Sequence, residues 1–144
     1  MATQRWVPNI TSPGSGKVTL ATAALPAGSH TITVIYGGDT NDVGSTSNTV
    51  TQTVIAKPVI STTSLGIGTT KSNYSATLGV SGGLAPCTWS IPSGSLPNGL
   101  SLNISTGLIS GKPSATGTFN FTVKVTDSLG NTATQGLSIT VTNK

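Results

Sequence analysis

Acid–base or nucleophilic catalysis needs titratable groups brought together in one place, and this chain offers few of them. His30, Asp39, Asp42 and Asp127 are its candidates, Cys87 is its single thiol, and glutamate is absent. A Ser-His-Asp arrangement would require His30 to meet Asp127 from a distant part of the chain. Asp39 and Asp42 lie nearer, but they stand in Gly37-Gly38-Asp39 and Asn41-Asp42-Val43-Gly44, where a short carboxylate is expected to bond local backbone. Cys87 alternates in phase with Trp89 and Ile91, which reads as a small buried hydrophobe rather than a reactive thiol. The expectation is a protein without catalysis, cofactor or metal. One cysteine forms no internal disulfide, so packing alone must hold the fold.

The elements that position these residues follow from composition and period. Only 7% of the 144 residues are charged, whereas Thr, Ser and Gly are abundant, which disfavours solvated helices and favours strands and turns. The net charge of +4 suggests a nucleic-acid partner only at first sight. Arg5, Lys17, Lys57, Lys71, Lys112, Lys124 and Lys144 are scattered singly, with no run to track a phosphate backbone. No apolar run reaches the roughly 20 residues that span a bilayer, so neither nucleic-acid binding nor membrane insertion is expected. The first residues hold no apolar stretch of a secretory signal. Export would then depend on a signal removed or carried on a longer parent, or the product is a virion part released by lysis.

Residues 119–126 alternate strictly: Phe119, Phe121, Val123 and Val125 point one way, Asn120, Thr122, Lys124 and Thr126 the other. That period of two marks a strand buried on one face. Thr118–Thr126 and Thr132–Thr142 flank the turn residues Asp127-Ser128-Leu129-Gly130-Asn131 and read as a long hairpin. Upstream, strands are expected near Val59–Thr62, at Tyr74–Val80 with Tyr74, Ala76, Leu78 and Val80 on one face, and at Cys87–Ile91. Leu100 with Leu102, and Leu108 with Ile109, make two more short apolar runs. Trp89, Phe119, Phe121 and Val123 are the predicted core, with Trp89 at its centre. Many short antiparallel strands imply an all-β fold of two packed sheets.

Three motifs carry a family resemblance: Leu-Pro-Asn-Gly-Leu-Ser-Leu-Asn at 96–103, Thr-Gly-Leu-Ile-Ser-Gly-Lys-Pro at 106–113, and Gly-Thr-Phe-Asn-Phe-Thr-Val-Lys-Val-Thr-Asp at 117–127. With the closing Leu-Ser-Ile-Thr-Val at 137–141, they resemble the cadherin-like Ig repeats of bacterial surface and secreted proteins, over about residues 57–143. The resemblance implies an Ig-like β-sandwich serving as spacer, adhesive or assembly module. Cadherin-like modules often hold calcium between domains, but such a site wants roughly six to eight oxygens with several carboxylates. The acidic linker motifs of the family are missing here.

Lys57-Pro58 marks a boundary. Before it, Ala-Leu-Pro-Ala-Gly-Ser-His-Thr-Ile-Thr-Val-Ile-Tyr-Gly-Gly-Asp at 24–39 and Thr-Gln-Thr-Val at 51–54 resemble a second bacterial Ig-like family. Three strands are expected over 17–56, carrying Val18 and Leu20; Ile32, Val34 and Tyr36; and Val50 and Val54. A complete repeat has about twice as many, so this unit is incomplete and should leave a sheet face or edge uncovered. Residues 1–16 read as an irregular arm, whose Trp6 and Val7, with Tyr36, are the candidate assembly residues.

The expected function is that of a non-catalytic extracellular structural or adhesive protein. Its Ig-like units would build a surface fibre or filament, with a homo-oligomer or polymer forming through strand edges by strand addition between copies. Two alternatives stand beside it: a phage virion decoration or fibre protein, and a module of a larger adhesin or secreted glycosidase that binds a glycan or receptor. The aromatic fraction of 4% is low for a glycan platform.

Overall fold

Glycine, threonine and serine at this abundance leave little that could hold a helix, and the chain is β throughout its described residues. The computed structural model describes residues 25–38 and 40–143. The expected strand with Val18 and Leu20, the arm with Trp6 and Val7, and Asp39 lie outside them. Among the described residues no helix is long and apolar enough to cross a membrane.

Residues 28–54 form one interrupted hairpin. β1 (Gly28–Ile32) pairs antiparallel with β4 (Val50–Val54), and β2 (Ile35–Tyr36) with β3 (Ser45–Thr46). The strand expected through Ile32, Val34 and Tyr36 is therefore broken at residues 33–34. The register slips there by one residue, from Ile32↔Val50 to Ile35↔Thr46. Val34 bridges the slip: its carbonyl accepts the Ser47 N–H at 2.8 Å, and its own N–H donates to Ser47 Oγ at 2.9 Å.

The sandwich follows. Its strands are β5 (Val59–Ile60), β6 (Gly68–Thr69), β7 (Tyr74–Thr77), β8 (Val80–Ser81), β9 (Thr88–Gly94), β10 (Leu100–Leu102), β11 (Leu108–Gly111), β12 (Gly117–Thr126) and β13 (Thr132–Thr142). One sheet has the order β6-β13-β12-β9, with β6 parallel to β13 and the other pairs antiparallel. Facing it are the sheet β10-β11-β7 and the short pair β5-β8.

β12 and β13 make the long hairpin that their alternation demands, in unbroken register from Thr126↔Thr132 to Gly117↔Val141. The β9 edge of β12 carries a bulge. Thr122 pairs with Ser93 and Lys124 with Ser90, so Ile91 and Pro92 together oppose Val123. A bulge is where a strand tolerates a residue without an N–H.

The buried cluster draws Trp89, Phe121, Val123, Val125, Leu137, Ile139 and Val141 from the first sheet, and Ile60, Tyr74, Leu78 and Ile109 from the other side. Trp89 and Phe121 are each 4% exposed and Val123 is fully enclosed. Phe119 sits at the rim, half-buried against the cluster, because β12 there nears the end of the sandwich. Cys87 is also half-buried and free, packed against the core as a small apolar residue.

One expected strand is corrected. Tyr74–Val80 is not continuous: β7 pairs with β11, the chain crosses at Leu78-Gly79, and β8 pairs with β5. The Leu78 N–H donates to the Gly107 carbonyl and the Gly79 N–H to Thr62 Oγ1, so the crossing is hydrogen-bonded at each step. Val80 consequently leaves the core face and is 36% exposed.

Candidate functional site

The hairpin leaves a cluster of apolar side chains open. Ile32, Val34, Ile35, Tyr36 and Val50 are all exposed, Ile35 at 67%. Among the described residues no third strand pairs with β1, β2, β3 or β4. A two-stranded ribbon is marginal by itself, and three or more strands over a shared apolar face are needed for independent stability. β1 to β4 hold no Lys, Arg, Asp or Glu, Asp39 and Asp42 falling between β2 and β3, so the strand edges lack the charged side chains that discourage pairing. Of the predicted assembly residues, Tyr36 lies on this surface, in register with Ser45. Trp6 and Val7 lie outside the described residues.

Among the described residues, His30 and Asp127 each bond to other groups and not to one another. His30, on β1, donates from Nε2 to the Pro26 carbonyl at 2.7 Å. Asp127 is only 4% exposed, and both of its carboxylate oxygens are occupied. Oδ1 accepts the N–H groups of Leu129 (3.0 Å) and Asn131 (2.8 Å); Oδ2 accepts the Asn131 side-chain amide (3.1 Å) and the Leu84 N–H (3.2 Å). A carboxylate so engaged orients no imidazole. Among the described residues no three His, Cys, Asp or Glu side chains stand together as a metal would need.

Burial alone would raise the Asp127 pKa. The hydrogen bonds from Asn131, Leu84 and Leu129 outweigh it and hold the carboxyl below the usual range. A carboxyl with a depressed folded pKa contributes stability that is present above its unfolded value, near ~3.9, and lost as pH falls through the folded value. The expected result is a melting temperature that falls as the pH drops below about 4, with Asp127→Asn removing part of that acid dependence. Melting curves of both proteins between pH 7 and pH 2 check it.

The sandwich also bears an open groove of about 560 Å³ beside Thr63, Ser64, Ser93, Asn120, Thr122 and Ser138, with Leu65, Phe121 and Leu137 among its lining. It presents hydroxyls and an amide but no charged side chain, so it can offer hydrogen bonds and no proton-transfer group. Sequence reasoning missed this groove, because residues 63–65, 93–94, 120–122 and 136–138 meet only in the fold.

The comparisons with known proteins fit this architecture. Residues 55–142 match the model of the family described as "Putative Ig domain". The chain belongs to that family. Residues 4–55 match the model described as "Bacterial Ig-like domain (group 3)", so the exposed hairpin falls within the second Ig-like match. No curated protein matches the chain.

Solved structures similar to it include two from Bacteroides fragilis NCTC 9343, described as "a putative alpha-galactosidase" and "a putative alpha-galactosidase/melibiase", at 29% and 30% identity. Each comparison has a TM-score of 0.52 and covers 60% of this chain and 18% of the enzyme, so the chain spans under a fifth of those proteins' length. The extracellular cadherin domains 1–4 of protocadherin gamma B7 align at 19% identity and a TM-score of 0.55, over 81% of this chain and 32% of that one, a likeness of fold. Ig-like domain families are generally non-catalytic, and bacterial Ig-like and cadherin-like domains are typically extracellular or surface-exposed. The chain carries Ig-like domains, which suggest a module of the surface or adhesion type.

Proposed function

We propose that this protein is a non-catalytic extracellular structural module whose copies join into a fibre or filament, the hairpin of residues 28–54 receiving a strand from a neighbouring copy. The observation that carries this reading is the hairpin itself: among the described residues, a two-stranded ribbon whose strands bear no Lys, Arg, Asp or Glu, with exposed Ile32, Val34, Ile35 and Val50, next to the sandwich. Strand addition supplies main-chain hydrogen bonds along an open edge, and alternate side chains supply the apolar cover. A contact of this kind is head-to-tail rather than self-complementary, and it propagates unless the rotation closes into a ring.

Light scattering on the purified chain tests the reading, with negative-stain images and a version lacking residues 1–16 run in parallel. Polymers that disappear in the shortened version are the expected result and assign the exchanged segment to the arm with Trp6 and Val7. A monomer across micromolar concentrations sinks the polymer reading. The likeness to the α-galactosidases favours what would then replace it, an accessory module of a larger secreted enzyme.

A further inference from the structure

The linker Ala56-Lys57-Pro58 joins the hairpin unit to the sandwich, and the loop Gly82-Gly83-Leu84 lies flush against it. The Gly83 N–H donates to the Ala56 carbonyl at 2.8 Å. The approach is close enough that only glycine fits. A Cβ on Gly82 would stand 2.5 Å from the Lys57 carbonyl oxygen, and one on Gly83 would stand 3.1 Å from Pro58 Cβ and 3.2 Å from Asp127 Cβ. The next residue, Leu84, is gripped on both sides. Its N–H donates to Asp127 Oδ2 at 3.2 Å, and its carbonyl accepts the N–H and the hydroxyl of Ser128 at 2.9 and 3.0 Å. A continuous path of hydrogen bonds and peptide units therefore runs from the β12–β13 turn, through Leu84 and Gly83, to Ala56.

We propose that the Asp127 turn is a clasp that holds the linker on the end of the sandwich. A carboxylate serving only its own turn needs the bonds from Leu129 and Asn131, which lie within four residues of it. The bond from Leu84 arrives from 43 residues away and does nothing for the turn. It positions the loop whose neighbouring N–H holds Ala56. The clasp fixes how the chain leaves the sandwich, whether or not copies polymerise, and a module that carries load or spaces a neighbour gains from a junction that does not swivel.

Amide hydrogen exchange and nitrogen relaxation on the full chain test this in Asp127→Ala and the milder Asp127→Asn. In Asp127→Ala the Gly83 amide is expected to exchange about 5- to 10-fold faster, as the loss of one organising hydrogen bond implies. The Lys57 order parameter is expected to fall from the rigid level near ~0.85 toward ~0.6. The Val123 and Ile139 amides should keep their protection, which shows that the sandwich remains folded. If Asp127→Ala unfolds the sandwich, Asp127→Asn is read at the same amides. Faster exchange confined to Leu129 and Asn131, with Gly83 and Lys57 unchanged, overturns the proposal and leaves Asp127 as a turn cap alone.

Discussion

Replacing Trp89 by alanine is expected to remove about 3–5 kcal/mol of the sandwich's stability, the usual cost of emptying a large aromatic site in a close-packed core. The indole is 4% exposed, on a strand whose register sets Trp89 opposite Val125. It lies within the cluster that holds Leu78, Ile109 and Val123. The backbone bond from the Trp89 N–H to the Ile104 carbonyl, 2.8 Å long, survives the substitution, so the loss is one of packing rather than of the ladder. With a single cysteine, no disulfide limits the unfolded chain. A domain of ordinary stability, about 5–15 kcal/mol, would be left with a fraction of its margin. Equilibrium denaturation in urea reads the change as a shift in midpoint at constant slope. A loss under about 1 kcal/mol would mean that the indole is not enclosed.

What the sequence disclosed and what it withheld follow from the range of the interactions. The alternation from Phe119 to Val125 announced β12 and its buried face, because a strand with one wet side must write that pattern locally. Trp89 was legible as core for the same reason, being in phase with Cys87 and Ile91. The short apolar runs Leu100 with Leu102, and Leu108 with Ile109, fall on β10 and β11.

The misread residues depend on partners far along the chain. Nothing local in Tyr74–Val80 says that the strand changes sheets at Leu78-Gly79, since the reason lies at Gly107 and Thr62. Asp127 is plain as a turn residue, but its bond to Leu84 is invisible until the fold brings the two together. β6 escaped notice because two residues, Gly68 and Thr69, carry no period at all. The count of strands over 17–56 predicts an open face, but the residues upstream that would cover it or leave it bare, Trp6 and Val7 among them, lie outside the described residues.

Gly107→Ala is expected to cost about 2–5 kcal/mol, a large effect for one methyl group. Two penalties combine at this position. Gly107 has φ +70°, a left-handed conformation that costs an L residue about 1–2 kcal/mol. The added Cβ would also stand 2.8 Å from Trp89 Nε1 and 2.9 Å from Cε2, an overpacking worth roughly 1–3 kcal/mol. Neither neighbour has room to move. The indole is locked in the core, and the turn is tied down on its own side, where Asn103 Oδ1 accepts the N–H groups of Ser105 and Thr106 and the Asn103 carbonyl accepts the Gly107 N–H. The Gly107 carbonyl in turn holds the Leu78 N–H at the sheet crossing, so any shift of the turn is felt there too. Gly130→Ala separates the two penalties, because Gly130 has φ +81° but nothing within 4 Å of an added Cβ. It should cost only the conformational part, about 1–2 kcal/mol. Denaturation midpoints of the two variants, with tryptophan emission followed alongside, measure the difference. Equal losses at the two glycines would show that the turn does not bear on the indole, and would remove the close packing of residues 103–107 over Trp89 from the account of this core.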